Sequence, residues 1–137
     1  MSEPLRHPLR VRYGECDPQG VVFNAHYLAW FDIALTELWR AALGSYDAMV
    51  RRGVDVVVAE ATIRYLRPAR FDEQLELGIS ISHLGTSSIV SDHEIRRGEE
   101  TIATGQTRHV CVEATSLTKA EIPDWLRESL HPWHLSG

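Results

Sequence analysis

Between Asn24 and Gly44, apolar residues recur every third or fourth position: Tyr27, Trp30, Phe31, Ala34, Leu35, Leu38, Trp39 and Ala42. That spacing lines one broad face of an α-helix. Asn24 suits the N-cap and Gly44 the terminator, so the pattern predicts a helix of roughly 20 residues and about 30 Å. So wide a face, rich in aromatic rings, has to be buried against something large.

Elsewhere the period is two. Residues 8–13, PLRVRY, alternate as a short first strand. VDVVVAEATIRYL (54–66) is expected to place Val57, Ala59, Ala61, Ile63 and Tyr65 on one side. EQLELGISISHL (73–84) sets Leu75, Leu77, Ile79 and Ile81 against Glu76, Gly78, Ser80 and Ser82. SSIVSDHEIRR (87–97) turns at GEE into TIATGQTRHVCVE (101–113), a predicted hairpin. A second short helix is expected over 46–52, and a closing helix over 122–130 opens on Pro and Asp. Four consecutive strands without intervening helices predict an antiparallel sheet, and covering the long helix requires that sheet to curve around it. With no linker or internal repeat, the expectation is one α+β domain over residues 1–137.

Composition narrows the function classes. Hydrophobic residues make up 44% and charged residues 24%, the balance of a globular protein. Fourteen basic against nineteen acidic residues leave a net charge of −5, which argues against general binding to nucleic acid or anionic membrane. All the basic residues but Lys119 are arginines, and arginine pairs well with phosphate. Cys16 and Cys111 stand far apart, in no metal-ligand spacing, and read as reduced cytoplasmic thiols. MSEPLRHPLR does not have the apolar stretch of a signal peptide, and no window approaches the ~20 apolar residues of a membrane span.

The chemistry gathers ahead of the helix, in GECDPQGVVFNAHY (14–27). DPQG (17–20) follows the type I turn preference, with Asp first, Pro second and Gly fourth. VRYGECDPQGVVFNAHYLAWFDIA resembles the opening motif of the 4-hydroxybenzoyl-CoA thioesterase family. IRYLRPARFDEQLEL (63–77) resembles its second signature, and ATGQTRHVCVE (103–113) its last strand. One departure lies at the helix start: many relatives read His-Ala-Asn-Tyr where this chain reads Asn24-Ala25-His26-Tyr27. The resemblance implies a hot-dog fold, a curved antiparallel sheet wrapped around a long central helix. It further implies an acyl-CoA thioesterase that uses water and no metal or cofactor, assembled as a homodimer or homotetramer with active sites between subunits. The acyl group is expected to be aromatic, such as 4-hydroxybenzoyl, or short to medium in length.

Thioester hydrolysis needs a nucleophile or a base for water, plus donors for the oxygen that turns negative. The resemblance assigns the first job to Asp17, by either route, and places the donor at the amide of Asn24 or its neighbour. A helix start offers such donors because its first amides have no partners within the helix. Substrate contacts are expected from Gly20, Val21, Phe23, Ala25, His26 and Tyr27 around this stretch. Val58 and Glu60 are expected at the acyl pocket, while Ser87 and Ser88 are expected to meet the nucleotide or pantetheine. Arg64, Arg67 and Arg70 form a cluster that suits phosphate, or plain solvated charge. A Cys16–His26 nucleophile pair is the weaker option, since nothing fixes a base at the thiol. The HPWH tail (131–134) reads as a tail and not a metal site. Alternatives of the same fold are a thioesterase acting on acyl carrier protein, an enoyl-thioester hydratase, and a non-catalytic acyl-thioester-binding protein.

Overall fold

The computed structural model describes residues 3–135. Its first strand, β1, runs Leu5–Arg10, earlier than the 8–13 expected from alternation. The strand stops because a 3₁₀ turn, Tyr13–Glu15, begins where alternation would have continued. Pro8, which has no amide to donate, is tolerated because β1 is an edge strand.

The long helix, α1, spans His26–Leu43. Its buried face is the one the spacing predicts: Tyr27, Trp30, Phe31, Ala34, Leu35, Leu38 and Trp39. Gly44, at φ +90, closes it with its amide on the Arg40 carbonyl at 2.9 Å. The N-terminus corrects the sequence reading, because the residue before the helix is Ala25 and not Asn24. Ala25 already has helical angles (φ −65, ψ −23), and no side chain caps the helix. A side-chain cap needs an extended residue at that position. A short helix, α2 (Tyr46–Arg51), follows, capped by the Ser45 hydroxyl on the Ala48 amide at 3.0 Å.

Four strands come next: β2 (Val54–Tyr65), β3 (Gln74–Leu84), β4 (Ser88–Arg97) and β5 (Glu100–Glu113). They join β1 in one sheet of order β1-β3-β4-β5-β2, with every neighbouring pair antiparallel. The β4–β5 hairpin turns on Gly98 and Glu99, with Arg97 opposite Glu100 and Gly98 at φ +62. Leu75, Leu77, Ile79 and Ile81 are at most 2% exposed and pack with the apolar face of α1. Each such burial contributes about 1.5–3 kcal/mol. The curved sheet around one long helix is the α+β hot-dog arrangement. A closing helix, α3 (Asp124–Leu130), buries Leu126 and Leu130. No helix among the described residues is long and apolar enough to cross a membrane.

Strand β2 departs from simple alternation. Its pairing with β5 shifts at a bulge between Val58 and Glu60, leaving Ala59 over. A bulge reverses the alternation. Ala61, Ile63 and Tyr65 therefore share a face with Val56 and Val58, while Val57 lies on the opposite face. Val58 and Tyr65 are 57% and 50% exposed, so this apolar edge strand is largely uncovered in the single chain.

Candidate active site

The turn carrying Asp17 is closed in three places. The Gly20 amide bonds the Asp17 carbonyl at 2.9 Å, and the Gln19 amide bonds the Asp17 carboxylate Oδ1 at 2.9 Å. The Asp17 amide reaches the Val21 carbonyl at 2.9 Å. Gly20 sits at φ +82, a left-handed conformation that glycine adopts without strain. Asp17 thus does shape the turn, as a leading Asp is expected to. Among the described residues its other carboxylate oxygen, Oδ2, has no hydrogen-bond partner.

Beyond the turn the chain folds back. Cys16 pairs with Val22, and the Phe23 amide bonds the Glu15 carbonyl at 2.9 Å. Val21 pairs in turn with Arg70, and the Val22 amide bonds the Ala69 carbonyl at 2.8 Å, fixing the loop to the segment after β2. Two open clefts flank the Cys16–Val22 pair. One, of about 540 Å³, is lined by Asp17, Cys16, Gly20, Pro18, Tyr13 and Phe71. Among the described residues Asp17 is its only acid. The rings of Tyr13 and Phe71 meet edge to face at 5.7 Å. The other, of about 280 Å³, is lined by Val22, Asn24, Tyr27, Tyr65, Leu66 and Arg67.

The second cleft lies at the start of α1. Two of the early amides are already used: His26 bonds the Phe23 carbonyl at 3.0 Å and Tyr27 the Asn24 carbonyl at 3.3 Å. Among the described residues the amides of Asn24 and Ala25 find no acceptor and are available as donors. Tyr65 donates its hydroxyl to the Asn24 carbonyl at 3.1 Å and holds this turn from across the cleft. The Tyr27 hydroxyl accepts from the Ala69 amide at 3.3 Å, and burial raises the pKa of its phenol. His26 is the first helical residue, half-buried, with its ring 6.2 Å from that of the exposed Phe23.

The remaining expected residues divide. Val21 and Ala25 belong to the Asp17 loop and the helix start, together with Gly20, Phe23, Asn24, His26 and Tyr27. Val58, Glu60, Ser87 and Ser88 do not join them. Along β5, Tyr65 faces Ala103, Val58 faces His109 and Ser88 faces Val110. At the rise of a strand, Ser88 lies about 23 Å along the sheet from the Tyr65 end. Ser87 is 93% buried, and its carbonyl accepts from the Cys111 amide at 2.7 Å. The expected acyl-pocket residues Val58 and Glu60 are thus not among the residues lining the Asp17 cleft of the same chain.

Other sequence candidates resolve simply. The Cys16 thiol points to the Arg12 carbonyl at 3.8 Å, and no histidine is among its described partners. Arg67 pairs with Glu100 at 3.3 Å. Among the described residues no group of three His, Cys, Asp or Glu could hold a metal ion. Sequence reasoning missed Tyr13, Tyr65 and Phe71 as lining residues. The bond from the Trp30 indole to Glu15 was also not anticipated.

Residues 11–130 match the model of the thioesterase-like superfamily. The chain is 33% identical over 120 residues to the acyl-CoA thioester hydrolase YbgC of Escherichia coli O6:H1, covering 87% of this chain and 90% of that protein. It is 29% identical to the 1,4-dihydroxy-2-naphthoyl-CoA hydrolase of Nostoc punctiforme, covering 83% of this chain and 78% of the relative. Among solved structures, a Thermus thermophilus protein, TT1821, superposes with a TM-score of 0.87 at 28% identity, covering 98% of this chain and all of that one.

Proposed function

The chain belongs to the thioesterase-like superfamily and is a thioester hydrolase, and on that premise we propose that it cleaves acyl-CoA thioesters to the free acid and CoA, with Asp17 supplying the chemistry. The observation that carries this reading is the Cys16–Val22 pair. It folds the Asp17 turn back toward the start of α1, so a carboxylate with one free oxygen and two unpartnered amides flank the same short stretch of backbone.

In this reading the thioester carbonyl lies at the amides of Asn24 and Ala25, which hold its oxygen as it becomes negative. Asp17 either attacks the carbonyl carbon, forming an anhydride that water then opens, or takes a proton from water as water attacks. Both routes break the carbon–sulfur bond, leave the acyl group as its free acid and return a proton to the departing thiolate. Rapid quenching of a single turnover, followed by mass analysis of the protein, separates them. The nucleophilic route passes through a protein heavier by the acyl group, whereas the base route does not.

The exposed rings of Tyr13 and Phe71 beside Asp17 suit a flat acyl group, so aromatic esters such as 4-hydroxybenzoyl-CoA rank ahead of short and medium chains. The catalytic unit is the whole of residues 1–137, acting as a homodimer or homotetramer. The uncovered β2 edge supports that assembly, since an open strand of twelve residues that exposes Val57, Val58 and Tyr65 calls for a partner. In that assembly Val58 and Glu60 approach the acyl site of the neighbouring copy, while Ser87 and Ser88 meet the nucleotide or pantetheine.

A thiol-release screen tests the reading, using aromatic, short and medium acyl-CoA esters alongside the same acyl groups on a carrier protein. The expected result is release from the CoA esters, fastest with the aromatic ones. Turnover confined to carrier-linked substrates would overturn the CoA assignment, and binding without thiol release would overturn the activity.

A further inference from the structure

The loop that carries Asp17 is tied to helix α1 by one side chain outside the reacting groups. Glu15 Oε2 accepts the indole N–H of Trp30 at 2.9 Å, while Glu15 Oε1 accepts the Arg12 amide at 2.7 Å. The Glu15 carbonyl takes the Phe23 amide at 2.9 Å, so the same residue also anchors the arm leading into the helix. Among the described residues, the Glu15–Trp30 bond is the sole side-chain hydrogen bond between residues 12–22 and α1.

Trp30 is 1% exposed and lies one turn into the helix from His26, so it is a fixed post and not a mobile surface group. Both partners of the Glu15 side chain are N–H donors. A carboxylate, with acceptors on both oxygens, satisfies the two at once, whereas an amide of the same shape can satisfy only one. Glu15 stands two residues before Asp17, and Trp30 four residues after the first helical residue. Their bond therefore joins the carboxylate side of the site to the amide side across a short path.

We propose that Glu15 is a positioning residue whose carboxylate, held on the Trp30 indole, sets where the Asp17 oxygen stands relative to the start of α1. The inference rests on the reading of Asp17 as the reacting group. Reacting groups must be held at near-attack distance, and a displacement of about 1 Å can cost roughly 100-fold in rate. Glu15 itself touches no substrate, so its loss should act on kcat and leave substrate binding nearly intact.

The test compares Glu15→Gln, Trp30→Phe, their double variant and Asp17→Asn on the best acyl-CoA ester. Trp39→Phe serves as the control, since Trp39 is equally buried on the same helix and among the described residues has no bond to the loop. All assays are run at a temperature where melting curves show each variant folded. Glu15→Gln and Trp30→Phe are each expected to lower kcat by about 10- to 100-fold with KM within about twofold of wild type. The double variant should be no worse than the poorer single one, because both changes break the same bond. Trp39→Phe should lower the melting temperature and keep kcat. Wild-type kcat in both Glu15→Gln and Trp30→Phe, with Asp17→Asn inactive, would overturn the positioning role and leave the Asp17 reading standing. The positioning role would fall in the same way if Trp39→Phe lost as much kcat as Trp30→Phe. An active Asp17→Asn would overturn the Asp17 reading and the inference with it.

Discussion

His93 lies flat against Phe31, with ring centroids 4.1 Å apart, and its Nε2 meets the Thr107 hydroxyl at 3.0 Å. Its Nδ1 and that of His109 are buried without partners among the described residues. Burial, with a smaller contribution from His109, pushes the pKa of His93 down to about 3. That of His109 is also lowered by burial, against a small opposing pull from Asp32. Both folded-state values lie below the unfolded one, so below pH ~6.5 the unfolded chain takes up protons that the native state refuses. Stability contributed by neutral His93 is fully present above pH ~6.5 and is lost as pH falls toward about 3. At pH 5 the loss from His93 alone comes to about 2 kcal/mol. The midpoint of urea unfolding should therefore drop between pH 7 and pH 5, and His93→Gln should remove a large part of that drop. An equal drop in the variant would show that other groups carry it. At this scale the sequence was informative where interactions are local. The Asp17 turn and Gly20 were legible because both follow from neighbours within four residues. The capping of the helix by Asn24 was misread because a cap depends on backbone angles, and Ala25 is already helical. Glu15 was silent because its partner is fifteen residues away.

The elements were legible through their periods, and the misreadings came from where those periods break. Helix α1 and the alternation of β3 stand as their apolar spacing predicted, since each buries one continuous face. The bulge in β2 left no mark in the alternation of VDVVVAEATIRYL, yet it moves Val57 to the opposite face from Ala61 and Ile63. Gly105 gives the packing of these elements a sharp test. A Cβ there would come within 2.5 Å of both the Phe31 ring and the Thr62 carbonyl oxygen. The carbonyl belongs to a strand backbone and cannot turn aside. Gly105→Ala should destabilise the fold by about 3 kcal/mol, at the upper end for overpacking. Gly14→Ala, which meets nothing within 4 Å, should leave the melting temperature nearly unchanged. Equal melting temperatures for the two variants would mean that α1 does not press on β5 as described.

At the scale of the whole molecule, the chain presents two kinds of incompleteness. The β2 edge is open and carries exposed apolar side chains, and Ser88 lies about 23 Å along the sheet from the Tyr65 end. Neither was visible in the sequence, because exposure and distance along a sheet exist only once the strands are paired. In the proposed assembly a second copy of the chain covers that edge. Light scattering on wild type should give the mass of a dimer or tetramer, and Val58→Glu, which places a charge at an exposed position of this edge strand, should shift it toward monomer. An unshifted mass would remove the β2 edge from the interface. The proposed chemistry rests on the carboxylate of one residue, Asp17. Asp17→Asn keeps the size of the side chain and the Oδ1 acceptor for the Gln19 amide, so folding should survive. The most direct measurement is kcat for this variant on the best acyl-CoA ester, with ester binding followed in parallel. A loss of at least about 1,000-fold in kcat with binding retained is the expected result, and a variant that turns over at a near-wild-type rate would contradict the role given to Asp17.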